Sequence, residues 1–167
     1  MAFFVKSTEQ SHCPICQSPV KVIGSRHRSV IDLEGDHKTL VIRRLKCQNP
    51  RCARIHHELP DTVVPYRRHC VGTIEAIIDQ NGFEPVEMDE SVIRRIREWF
   101  EVRQVAIHGG LLGLAALLGT GFAEEPSVRP KSVLERIHAL FGERPGWLSL
   151  AVRILVNHCR WPHTRSA

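Results

Sequence analysis

The spacing of apolar residues changes part-way along the chain. In the first part they fall in short, β-branched runs. Val20, Val22 and Ile23 begin one strand, Ser29-Val-Ile-Asp reads as a second, and Thr39-Leu-Val-Ile-Arg-Arg-Leu as a third. Glu34-Gly35-Asp36, between the second and third runs, is turn chemistry. The pattern predicts an antiparallel hairpin or a three-stranded sheet. From about Cys70 the period lengthens. Thr73-Ile-Glu-Ala-Ile-Ile-Asp predicts a short helix, broken by Asn81-Gly82 and Pro85. A second helix begins near Asp89, Glu90 or Ser91, any of which can cap it, and runs to about Arg103. Val92, Ile93, Ile96, Trp99 and Phe100 form its buried face. Arg94, Arg97, Glu98 and Glu101 lie opposite, with Arg95 towards the margin.

Val105 to Phe122 is apolar enough to raise a membrane span. It holds His108 and five glycines (Gly109, Gly110, Gly113, Gly119 and Gly121), and its continuous apolar core is only Leu111–Leu118. It also lacks flanking basic clusters or aromatic belts, so a buried or partner-facing helix is expected instead. After a polar loop at Ala123–Pro130, Ser132-Val-Leu-Glu135 has capping-box spacing, and Leu134, Ile137 and Phe141 continue a helix that Gly142 stops. Pro145-Gly146 opens a last helix, Trp147–His158, whose Trp147, Leu150, Val152, Ile154 and Leu155 are apolar. The predicted class is α+β: a β-rich module over residues 1–69, helix-turn-helix-like helices over 70–110, and a small helical bundle over 111–167.

A chain of 167 residues makes one typical domain or two small ones, and 43% hydrophobic with 25% charged residues excludes wholesale disorder. The net charge of +5 is unevenly spread. Residues 1–69 hold 12 Lys/Arg against 6 Asp/Glu, whereas residues 70–167 hold 11 against 12. Six of the 10 histidines also lie in the first part, so a polyanion would be met there. The start, MAFFVKSTEQSHC, lacks the apolar core of a secretory leader. The expected setting is a reducing cytoplasm, where cysteines serve as metal ligands or free thiols rather than disulfides.

Cys13-Pro-Ile-Cys16 and Cys47-Gln-Asn-Pro-Arg-Cys52 carry the strongest chemical signal. Each pair sits at a turn, and a hairpin between them can bring both turns to one end. Four thiolates then suit Zn²⁺, which is borderline soft and prefers tetrahedral sulfur. Two knuckles with a strand-rich insert are the grammar of a zinc ribbon. Four residues separate the second pair, within the accepted range. Such a closed site has no open coordination position and implies scaffolding. Cys70 and Cys159 have no partners at ligand spacing and read as ordinary thiols. His56 or His57 could replace a cysteine ligand, but packing or a phosphate contact is the more ordinary role for His56.

Arg26, Arg28, Lys38, Arg43, Arg44, Lys46, Arg51, Arg54, Arg67 and Arg68 surround this module. A hairpin can gather several on one face, where they would neutralise phosphates; a merely solvated surface is the plainer alternative. Arg94, Arg95 and Arg97 are the contact candidates if the second helix enters a major groove. The neighbouring glutamates equally describe an exposed helix face. His56-His-Glu58-Leu-Pro-Asp61 contains the residue types of a metal-dependent nuclease, yet no second cluster supports catalysis. The chain is expected not to be an enzyme.

The span Cys13–Cys52, with Ile42-Arg-Arg-Leu-Lys-Cys, then Arg54-Ile-His-His-Glu-Leu-Pro and Val64-Pro-Tyr-Arg-Arg, resembles the N-terminal zinc-binding domain of some bacterial insertion-sequence transposases. It resembles more closely an uncharacterised bacterial family, domain of unknown function 6431, often found beside transposase genes. Pro145-Gly-Trp-Leu, Leu155-Val-Asn and Thr164-Arg-Ser-Ala are similar to that family too. The resemblance implies a mobile-element-associated, zinc-ribbon DNA-binding protein. Such transposases carry three metal-binding carboxylates on a longer catalytic domain, and the 98 residues after His69 offer no such layout. The expectation is therefore an accessory factor with DNA, and a transposase or integrase subunit, as partners, and with no membrane role. The alternative is a protein–protein adaptor with a structural zinc site.

Overall fold

In the computed structural model, which describes residues 2–8, 10–79, 88–120, 132–142 and 144–162, the sheet is built around one central strand. Strand β3 (His37–Cys47) pairs antiparallel with β2 (Val20–Ile31) along nearly its whole length. On its other side lie β1 (Ala2–Val5), parallel to residues 39–42, and β4 (Ile55–His57), antiparallel to residues 44–46. The β2–β3 turn is tied by Asp32 N–H to Asp36 O and Asp36 N–H to Asp32 Oδ1, with Gly35 at φ +83°. The two runs expected at 20–23 and 29–32 are one 12-residue strand. Gly24, at φ +145°, bridges them through a register shift between Val22 and Gly24, a β-bulge that keeps the strand paired while turning it. β1 and β4 were not anticipated, because segments of four and three residues are too short to show a period.

Four helices follow: α1 (Val71–Asp79), α2 (Glu90–Leu117), α3 (Val133–Phe141) and α4 (Trp147–Asn157). Asp89 caps α2, accepting from Ser91 N at 2.7 Å. α2 does not end near Arg103. It is one 28-residue helix, about 42 Å long, and the boundary expected at 110/111 falls inside it. Ile96, Trp99, Phe100, Ile107, Leu111 and Leu114 continue one buried stripe, and that burial outweighs the weak helical propensity of Gly109 and Gly110. Gly110 lies where α4 approaches: a Cβ there would stand 2.8 Å from Leu155 Cδ2. Away from that stripe Val102 is 76% exposed, and Leu117, the last residue of the helix, is 73% exposed. Among the described residues no helix is long and apolar enough to cross a membrane.

α3 has the expected reciprocal capping box between Ser132 and Glu135, and Gly142 ends it at φ +73°. α4 has no local side-chain cap; Glu75 of α1 supplies one from a distance. Its buried carboxylate accepts from Gly146 N at 2.6 Å and from Leu148 N at 3.0 Å. One turn on, Asp79 accepts from Trp147 Nε1 at 3.0 Å and meets His138 Nε2 at 3.1 Å. α1 thus holds α3 and α4 by two carboxylates. Val64, Ile74, Ile107, Ile137, Leu148 and Leu155 are completely enclosed in one apolar cluster that spans all four helices. The sheet joins this body through Ile31 N–H to Arg68 O and Cys70 N–H to Ile31 O, each 2.8 Å. Asn81, Gly82, Pro85, Gly121, Phe122, the loop at 123–130 and the tail motif at 164–167 lie outside the described residues.

Candidate metal centre and cationic face

Both cysteine turns close on a residue in the left-handed region. In the first, Gln17 N–H donates to Cys13 O at 2.8 Å, with Gln17 at φ +58°. In the second, Ala53 N–H donates to Asn49 O at 2.9 Å, with Ala53 at φ +47°, and the Asn49 side chain accepts from Arg51 N at 3.0 Å. The wider second spacing arises because Cys47 still belongs to β3 and the turn starts at Asn49. Gln48 N–H donates to Pro19 O at 3.0 Å and ties the turns together.

The sulfurs of Cys13, Cys16, Cys47 and Cys52 lie within 4.8 Å of one another. Cys13 Sγ is 3.7 Å from Cys52 Sγ, and Cys16 Sγ is 3.5 Å from Cys47 Sγ. A tetrahedral thiolate site with metal–sulfur bonds of about 2.3 Å has edges of about 3.8 Å, so these residues fit a metal ion. Four thiols in so small a space cannot all ionise without a cation. Hydrogen bonds from Ser18 hold the Cys16 thiol down at about 6, whereas burial and then the neighbouring thiols push Cys47 up to about 12. His56 lies beside the cluster, its Nε2 3.3 Å from Cys13 Sγ, and burial holds its pKa below the usual histidine value. It is a neighbour of the four sulfurs rather than one of the set. Cys70 instead meets Thr73 Oγ1 at 3.1 Å, and Cys159 is exposed beyond the end of α4.

Strands β2, β3 and β4 contain seven Lys/Arg and no Asp or Glu. Direct cross-strand partners share a face, and the bulge decides which cations meet. Lys21 stands opposite Lys46, Arg44 opposite Gly24 and His57, and Arg26 opposite Ile42. Lys21, Lys46, Arg44, Arg26 and His57 therefore lie on one face. Burial first, then Arg26, Arg44 and Arg28, keep the His57 pKa below its ordinary value. Lys21 was not among the residues singled out from sequence. Counted without a bulge, its parity puts it on the other face of β2 from Arg26; Gly24 within a strand pattern was the available signal.

The structure separates the remaining candidates. Arg43, expected to meet phosphate, faces the other way and forms a paired contact with Glu58, Nε to Oε2 at 2.5 Å and Nη2 to Oε1 at 2.6 Å. Lys38 is paired with Asp32. The Arg28 guanidinium donates to Val64 O at 2.8 Å and to Arg67 O at 2.7 Å. Arg67 lies 4.6 Å above the Trp99 ring. These four are engaged within the protein. Arg26, Arg44, Lys46, Arg51, Arg54 and Arg68 have no ion pair among the described residues. On α2, Arg94 pairs with Glu98 at 3.8 Å, Arg95 Nε donates to Ser91 O at 3.0 Å, and Arg97 is exposed with Nε 3.5 Å from Ile77 O. The residue types that raised a nuclease diverge: His56 faces Cys13, Glu58 faces Arg43, and Asp61 faces Arg153 at 3.7 Å.

The family described as Domain of unknown function (DUF6431) matches residues 13–96. That stretch begins at the first cysteine and ends within α2, so it contains the whole cluster, the cationic face and α1. The later motifs at Pro145–Leu148 and Leu155–Asn157 lie outside it. No curated protein and no solved structure matches the chain.

Proposed function

The chain belongs to the DUF6431 family, and we propose that it is a zinc-ribbon DNA-binding accessory protein, acting with a transposase or related mobile-element enzyme and not itself catalytic. The observation that carries the reading is the sheet face where Lys21 opposes Lys46 beside Arg44, Arg26 and His57, with no carboxylate anywhere in those strands. Like charges directly across a strand pair are destabilising, so a polyanion gains by binding there. The four-cysteine cluster anchors the end of that face, since Cys47 terminates the strand that carries Arg44 and Lys46. Zinc suits four thiolates at these separations; when bound it supplies folding energy, and the chain's own residues present the charge. The link to transposition rests on resemblance: of the cysteine module to transposase zinc-binding domains, and of the chain to a family often found beside transposase genes.

The test is metal content together with salt-dependent DNA binding. The reading expects about one zinc per chain, lost in Cys13→Ser with unfolding of the sheet. Arg44→Ala and Lys46→Ala should each weaken DNA binding and lower the salt slope by about one, with the fold retained. Undetectable binding at low salt would instead favour the adaptor reading, for which the exposed neighbours Val102 and Val105 on α2 offer an apolar contact.

A further inference from the structure

One exposed residue at the edge of the cationic face has an unusual backbone. Arg67 N–H donates to Val64 O at 3.1 Å, closing the turn Val64-Pro65-Tyr66-Arg67, and Tyr66 holds φ +64°. Proline second and a positive φ third define a type II turn, where the third position normally takes glycine or asparagine. Here it carries the only tyrosine of the chain. The turn is over-determined from several sides. Arg28 reaches from β2 and bonds both Val64 O and Arg67 O. Val63, Val64 and Pro65 are buried, and the next side chain, Arg67, is stacked on Trp99. The Tyr66 ring alone is left outside, 68% exposed. Arg28 stands two residues from Arg26 on β2 and so shares its face, and its bonds to Val64 O and Arg67 O tie this turn to the end of the cationic row.

A flat ring held out on a rigid, strained turn beside unpaired cations has the elements of a stacking platform. Bases stack on aromatic rings irrespective of sequence while cations take the phosphates. Bases within a duplex are already stacked on one another and closed to a side chain. We propose that Tyr66 stacks on an unpaired base of single-stranded DNA whose backbone runs along Arg26 and Arg44. This rests on the DNA-binding reading above and adds to it a preference for unpaired strands.

The experiment compares anisotropy of a labelled single strand and of its duplex, each about 16 nucleotides long, at low salt. Tyr66→Gly removes the ring but suits the positive φ, so its thermal unfolding should be no lower than that of the parent chain. Its affinity for the single strand should fall roughly 5- to 150-fold while duplex affinity stays unchanged, and Tyr66→Phe should stay within about twofold of the parent on both. No loss in Tyr66→Gly, an equal loss on single strand and duplex, or an equal loss in Tyr66→Phe would each overturn stacking. A parent chain that binds duplex but not single strand overturns this inference and leaves the DNA-binding reading standing. Binding to neither overturns both.

Discussion

Arg43 and Arg44 are adjacent, equally charged and predicted to play different parts. Arg43 lies on the sheet face away from the cationic row and meets Glu58 through two charge-assisted hydrogen bonds. Its side chain is 17% exposed and that of Glu58 8%, so water screens the pair only weakly. Each such bond is worth about 1.5–3 kcal/mol, and stripping one partner from a buried pair costs about 3–5 kcal/mol. Ser11 Oγ, 3.4 Å from Glu58, offers the stranded carboxylate partial compensation. We therefore expect Arg43→Ala to cost about 3 kcal/mol, or about 1.5 M in urea midpoint at a slope of about 2 kcal/mol/M. Glu58→Ala should cost a similar amount. The double variant should cost clearly less than the sum, with a coupling of about 2 kcal/mol. The assay is urea unfolding of the four chains at fixed excess zinc, so that metal linkage is constant.

The same pair has a pH signature. Arg43 holds the Glu58 carboxyl below its ordinary value. The pair's contribution is therefore complete above the unfolded pKa of about 4.3 and is lost as pH falls through the lower folded value. The coupling should thus survive at pH 6 and shrink below about pH 4. Strictly additive single variants, or an Arg43→Ala chain of unchanged stability but weakened DNA affinity, would refute the structural role of Arg43.

Two further expectations concern the helices. Glu75→Gln should remove charge-assisted bonds to Gly146 N and Leu148 N. It should destabilise the fold by about 1–3 kcal/mol, with amide exchange rising first along α4; an effect below about 0.5 kcal/mol would discount the remote cap. Gly109→Ala and Gly110→Ala should move thermal stability in opposite directions, although the residues are neighbours. A Cβ at Gly109 meets nothing within 4 Å, so the change should stabilise by about 0.5–1 kcal/mol; at Gly110 it meets Leu155 and should destabilise by about 1–3 kcal/mol.

How much of this was legible in the residues follows from the range of the interactions. The chain order of sheet and helices, the two cysteine turns, the Ser132–Glu135 box and the Asp89 cap all involve groups only a few positions apart. Spacing alone therefore determined them, and the cysteine pairs also pointed to one shared cluster that could hold a metal ion. Tertiary structure decided the rest. A single bulge at Gly24 chose which cations share a face. Glu58, 15 residues away, took Arg43 out of that set. Leu155 and its neighbours on α4 gave α2 a surface to pack on past Arg103, and His56 came to rest beside Cys13 across 43 residues of chain. A periodic pattern records which side chains avoid water, but not which distant partner meets them once they do; strand register and helix packing settle that, and they form only when the whole chain is assembled.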